Sequence, residues 1–149
     1  MSLEGHDVCG LVWSLLVADS GPGGVNTLLG GTPTTPGRIY QDRVPQAVLL
    51  PAATVGLVAA PDTTTLGGLH VESTVDVDVR IVASGASYGP IVPIARRVDL
   101  VLAGSSGTSG ESYAYKLRRI DFRRLPEDEG GVSYRHLIGT YRTEAHPTP

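Results

Sequence analysis

Val71, Ser73, Val75, Val77, Val79 and Ile81 alternate along the chain with Glu72, Thr74, Asp76, Asp78 and Arg80. Successive side chains of a β-strand point to opposite faces, so this period of two describes one long strand. One face is apolar and seeks a core; the other is charged and meets water or a partner. A chain containing such a strand must build a sheet and cover it on one side.

Two segments have the periodicity to provide that cover. In the stretch Leu3 to Ala18, the residues Val8, Leu11, Val12, Leu15 and Leu16 recur at spacings of three and four, which predicts a helix with one apolar face. Gly21-Pro22-Gly23-Gly24 ends it. From Pro90 to Ala103 a second helix is expected. Its apolar face is Ile91, Ile94, Ala95, Val98, Val101 and Leu102, with Pro90 and Pro93 near the first turn and Gly104 as a stop. Between these helices, residues 21–37 are rich in Gly, Thr and Pro and read as a flexible loop with room for one helical turn at Val25 to Leu29.

The remaining strands are shorter or less regular. Arg38-Ile39-Tyr40 begins a short one, and Pro45 and Pro51 keep the connection from Gln41 to Pro51 extended. Ala52 to Ala60 reads as a strand buried on both faces, and Pro61 to Gly68 as a turn or hairpin loop. Ser105 to Glu111 reads as a flexible loop. Two strands follow, Tyr113 to Leu125 and Val132 to Thr143, separated by a turn over Pro126 to Gly131. Tyr113, Tyr115 and Leu117 share one parity while Ile120 and Phe122 share the other, which calls for a bulge near Arg118-Arg119. The expected architecture is a single α+β domain over residues 1–149. It has two layers, a mostly antiparallel sheet of four to five strands with two helices packed on one face, and a loose tail at 144–149.

No residue set carries recognisable chemistry. His6, His70, His136 and His146 are scattered, and with Cys9 as the single cysteine no zinc-ligand spacing exists. Cys9 itself lies among apolar residues and reads as a small buried hydrophobe. Asp76 and Asp78 share a strand face about 7 Å apart, a separation that would suit paired acids. With no aromatic residue beside them to bind a sugar, they read instead as polar alternates of a half-exposed strand, bound to water or to basic neighbours. The glycine-rich pieces lack the Gly-Lys-Ser/Thr of a phosphate loop, and Ser106 does not sit on a strand-to-helix elbow. Neither catalysis nor a cofactor is expected. The N-terminus lacks the basic region of a secretory signal, no stretch is long and apolar enough for a membrane helix, and the chain reads as soluble.

Charge is distributed unevenly. Lys116, Arg118, Arg119, Arg123 and Arg124 crowd one expected strand, with Arg135 and Arg142 on the next. Three readings stand: an exposed face balanced by nearby acids, a subunit interface using the planar arginine fork, or a nucleic-acid surface. The net charge of −3 gives no global field favouring the last. The residues that stand out as an interface are Asp42, Arg43, Glu72, Asp76, Asp78, Arg80, Lys116, Arg118, Arg119, Arg123 and Arg124.

The order of these segments resembles the tail terminator, or tail-completion, proteins of long-tailed bacteriophages. The N-terminal helix is followed by the stretch Arg38-Ile39-Tyr40-Gln41-Asp42-Arg43-Val44-Pro45-Gln46, then by Leu50-Pro51 leading into an apolar strand. The alternating strand Val71 to Val82, the helix Ile91 to Leu102 and a last strand near Tyr134 to Arg142 complete the pattern. The resemblance implies a structural virion protein at the neck that works without catalysis or cofactor. It would form a ring, a hexamer, that caps the tail tube, stops its polymerisation and meets the head-completion proteins of the connector. The ring would assemble in the host cytoplasm, with DNA passing through its lumen and no membrane involved. Rival readings are another neck ring such as a head-closure subunit, and a small cytoplasmic ligand-binding α+β domain.

Overall fold

A computed structural model describes residues 3–64 and 70–148. Part of the turn expected at 61–68 therefore lies outside the described residues. Three helices are present: α1 (Leu3–Ala18), α2 (Val25–Leu28) and α3 (Val92–Leu102). The strands are β1 (Ile39–Gln41), β2 (Ala52–Ala59), β3 (Asp62–Thr64), β4 (His70–Ser84), β5 (Gly107–Ser109), β6 (Ser112–Ala114), β7 (Arg118–Glu129) and β8 (Val132–Pro147).

These form one sheet in the order β1-β2-β4-β8-β6-β5, with β3 also beside β4 and β7 also beside β8. The pairing of β1 with β2 is parallel; the other pairings are antiparallel. The mostly antiparallel four-to-five-strand sheet with two helices on one face is thus overturned. The sheet is mixed, has eight strands among the described residues, and curls into a half-barrel. The curl follows from α1, which touches both β1 and β5, the two ends of the strand order. Four strands have only three residues each, too short to show a period. The Gly-Ser composition of 105–111 hid β5 in particular.

The alternation of β4 is what fills the half-barrel. Val75, Val77, Val79 and Ile81 are buried and meet Val12 and Leu16 of α1, Val98 and Leu102 of α3, and Leu137 and Tyr141 of β8 in one core. Polar anchors hold α1 at both ends of the sheet. The Trp13 indole N–H donates to the Ile39 carbonyl at 2.9 Å, and the Ser112 hydroxyl donates to the Asp7 carboxylate at 2.6 Å. Burial, with a smaller contribution from the charge of Asp42, pushes the Cys9 thiol up to about 11.

The glycine-rich stretch 21–37 is organised around a buried amide. The Asn26 side chain donates to the Ser20 hydroxyl at 2.9 Å and to the Thr32 carbonyl at 3.1 Å, and accepts from the Gly37 N–H at 2.6 Å. A side chain at Gly31 would overlap that amide, so the close approach requires glycine there.

The α1–α2 connection is fastened to α3 by Asp19. Its carboxylate accepts from the Val25 N–H at 2.8 Å and from Arg97 Nε and Nη2 at 2.8 and 2.7 Å. The Arg97 hydrogen bond holds Asp19 below the usual carboxylate range, with the Val25 N–H adding to the effect and burial opposing it. A carboxylate pKa lowered by folding contributes stability above its unfolded value of about 3.9 and loses it as pH falls through the lower folded value. Asp19→Asn should therefore lower the melting temperature by a few degrees at neutral pH. The deficit should shrink as thermal melts are repeated toward pH 2; a deficit independent of pH would remove Asp19 ionisation as the cause.

Candidate functional site

The curled sheet leaves a face opposite α1, on which the polar alternates of β4 stand beside those of β8. The register pairs Asp76 with Arg142 and Asp78 with Thr140. Arg142 grips Asp76 with two parallel bonds, Nε to Oδ1 at 2.7 Å and Nη2 to Oδ2 at 2.8 Å, the planar fork geometry arginine favours. These bonds raise the Arg142 pKa, the Asp76 hydrogen bond first and its charge second. Asp78 accepts from the Thr140 hydroxyl at 2.5 Å and from Arg123 Nη2 at 3.0 Å, and Arg123 Nη1 also reaches Asp121 at 2.9 Å. The two carboxylates whose spacing suits paired acids are each bound to an arginine, Asp76 to Arg142 of the adjacent β8 and Asp78 to Arg123 of β7, one strand farther on.

The expected interface residues do not gather in one place. Asp42, Arg43, Asp78 and Arg80 line a groove of about 720 Å³ on this outer face. One lip is the connection 42–51, which returns the chain for the parallel β1–β2 pairing. Two non-glycine residues on it, Asp42 and Ala47, have φ of 69° and 59°, a conformation that L side chains adopt at some energetic cost. The other lip is the β7–β8 hairpin, with Glu127, Glu129, Tyr134 and His136. Glu72 lies farther along β4, level with Thr63 of β3.

The arginines of β7 are not one surface. A register shift between Arg119 and Asp121 leaves Ile120 as an extra residue, one position beyond the expected bulge. Arg118 and Arg123 stand on the outer face, Arg118 3.6 Å from Glu144 and Arg123 with Asp78. Arg119 and Arg124 stand on the other, where a second groove of about 530 Å³ opens between β7 and α3. There Arg119 Nη1 is 3.4 Å from Asp99, and the Tyr141 hydroxyl donates to the same carboxylate at 3.2 Å. Burial, reinforced by the Asp99 charge, raises the Tyr141 hydroxyl well above its ordinary pKa. Lys116 is exposed in the link from β6 to β7.

Over residues 14–143 the sequence matches the family described as Tail completion protein gp17. The chain belongs to that family. It is accordingly a tail-completion protein of phage-like particles, with a structural role. Among solved structures, a chain of the virion of native gene transfer agent (GTA) particle has the same fold, with a TM-score of 0.68. The two are 17% identical, and the match covers 97% of this chain and 99% of that one. No curated protein matches the chain.

Several groove residues were not singled out by sequence. His136 Nε2 lies 2.6 Å from Glu127 Oε2, while its Nδ1 is buried without a hydrogen-bond partner among the described residues. The signal for this contact is Gly130-Gly131, with φ of 58° and 79°, a two-residue hairpin turn. Recognising that turn sets Glu129 opposite Val132 and Glu127 opposite Tyr134, from where its side chain reaches His136 diagonally. Arg96, Leu100 and Phe122 of the second groove carry no motif at all.

The Asp78–Arg123 pair joins β4 to β7 across the intervening β8, with the Arg123 side chain 46% exposed. A double-mutant cycle on Asp78→Asn and Arg123→Gln should give a coupling of about 0.2–1 kcal/mol, after allowing for solvent screening. It should shrink as salt rises; a coupling indifferent to salt would show that packing, not charge, links the strands.

Proposed function

We propose that this tail-completion protein acts as a ring subunit, most simply a hexamer, that caps the tail tube, stops its polymerisation and joins it to the head-completion proteins. The family match over residues 14–143 carries this reading. The neighbouring fold in an assembled gene transfer agent virion is in keeping with it.

The physical character of the surface supports an assembly role. Of the two edges of β7, one pairs with β8 and the other has no partner among the described residues. Along this strand Ile120, Phe122 and Leu125 are each about two-fifths exposed, and Leu100 of α3 is 74% exposed. An unpaired strand with apolar side chains beside it invites another chain. The two aspartates of β4, Asp76 and Asp78, are engaged by arginines, as befits structural use, and the function is non-enzymatic. The ring assembles in the host cytoplasm and is carried into the virion, with DNA passing through its lumen. Asp42, Arg43, Glu72, Asp76, Asp78, Arg80 and the basic residues of β7 remain the proposed contact residues.

Native mass spectrometry of the purified chain, alone and with tail-tube protein, tests the proposal. The expected species is about 94 kDa, six times the 15.6 kDa chain, and electron microscopy should place it at tube ends. Adding it during tube polymerisation should give short tubes of limited length. A chain that stays monomeric and leaves tube growth unchanged overturns the reading; binding to the connector but not to tubes reassigns it to the head side.

A further inference from the structure

The groove between α3 and β7 has an unusual composition for a free surface. Its floor is apolar, with Val92, Ala95, Phe122 and Leu137, and Leu100 stands at its margin. Three arginines, Arg96, Arg119 and Arg124, rim it. The one acid there, Asp99, is engaged by Arg119 and the Tyr141 hydroxyl. Arg96 and Arg124 have no carboxylate partner among the described residues, and Arg124 lies over the Tyr88 ring at 4.9 Å. What fits such a groove is a short apolar projection flanked by carboxylates.

The same chain carries one. The tip of the β7–β8 hairpin reads Glu127-Asp128-Glu129-Gly130-Gly131-Val132. The Asp128 side chain is 75% exposed and Val132 is 45% exposed. Asp128 accepts from the Ser133 hydroxyl at 2.7 Å and is only 4.0 Å from Arg135, while Glu129 has no basic partner among the described residues. Asp128 and Glu129 lie four and five residues beyond Arg124, the groove residue nearest the tip along β7, on the order of 13–17 Å away, and β7 stays paired with β8 as far as Glu129 opposite Val132. The tip therefore cannot turn back into its own groove.

We infer that the acidic hairpin tip of one copy seats in the α3–β7 groove of the next, with Val132 on the apolar floor and Asp128 and Glu129 against Arg96 and Arg124. The inference rests on the ring reading and names its contact. Groove and tip are different patches of one chain, so the contact runs head to tail and closes into a ring when the rotation per subunit closes. Arginine suits the groove side because its fork binds carboxylates with two bonds.

The test reverses charge on each side in the full-length chain. R96E/R124E and D128R/E129R should each convert the ring to the 15.6 kDa monomer in native mass spectrometry, with and without purified tail tubes. Circular dichroism spectra of both variants should match the wild type and their melts should stay cooperative, since all four side chains are exposed, although loss of the ring lowers the midpoint. The combined variant R96E/R124E/D128R/E129R, in which both sides are reversed, should form the ring again. Rings that persist in both double variants overturn this contact while leaving the ring reading intact. So does a combined variant that stays monomeric with a cooperative melt. A wild-type chain that never forms a ring overturns both.

Discussion

The pairing of β4 with β8 holds the rest of the molecule in place. It runs without a break from Ser73 opposite Ala145 to Ser84 opposite Tyr134. On one side of this ladder Val75, Val77, Val79 and Ile81 meet Leu137 and Tyr141 beneath α1 and α3. On the other, Asp76 faces Arg142 and Asp78 faces Thr140. A slip of one residue would send Val75, Val77 and Val79 to the outer face and Asp76 and Asp78 into the core. The two-pronged Asp76–Arg142 contact is available in one register only, so the charged face helps specify the pairing that the apolar face stabilises. The helices, the long hairpin and both grooves take their positions from it.

How much of this was legible depends on the length of the element. A fifteen-residue strand with a strict alternation and a sixteen-residue helix with an apolar stripe declare themselves. The three-residue strands do not, because β5, with Gly107, Thr108 and Ser109, has no apolar pattern and exists only by pairing with β6. Pro126 misled in another way. It looked like the start of a turn, yet it lies within β7, where a free edge tolerates a residue without an N–H. A turn spread over Pro126 to Gly131, rather than confined to Gly130-Gly131, hides the reach of the hairpin and the His136–Glu127 contact. The curl of the sheet was invisible for a different reason, since it arises from α1 touching both edges at once, a long-range fact no local window contains.

The arginine cluster shows why residue counts on a strand are weak guides to surfaces. Five basic residues between 116 and 124 suggest one positive face, but the bulge at Ile120 and the alternation of β7 divide them between two. Arg118, Arg119 and Arg123 each lie within 4 Å of a carboxylate of this chain. A continuous stripe of unpaired charge, which a phosphate backbone would track, is not what the fold makes. What it makes instead are two grooves on opposite faces, each with an irregular segment or a helix along one side and the β7–β8 hairpin along the other.

The free edge of β7 raises the question of how such a subunit avoids sticking to its copies in disorderly ways before a tail is ready. The strand meets it with charge, since Arg118, Arg119, Asp121, Arg123, Arg124 and the acids of the tip leave few consecutive apolar residues, and Pro126 interrupts the hydrogen-bonding edge. A contact rimmed by solvent-exposed ion pairs is weak taken singly and weakens further with salt. In the proposed ring this weakness is useful. An open chain of subunits has one contact fewer than it has members, whereas a closed ring has as many contacts as members, and its last contact forms between ends already held close together. Closure therefore adds stability that no pair or short chain possesses. A subunit built on modest polar contacts would remain dispersed while free and commit only when a complete ring can form, and in the proposed role the rim of a finished tube would be the surface that gathers those subunits together.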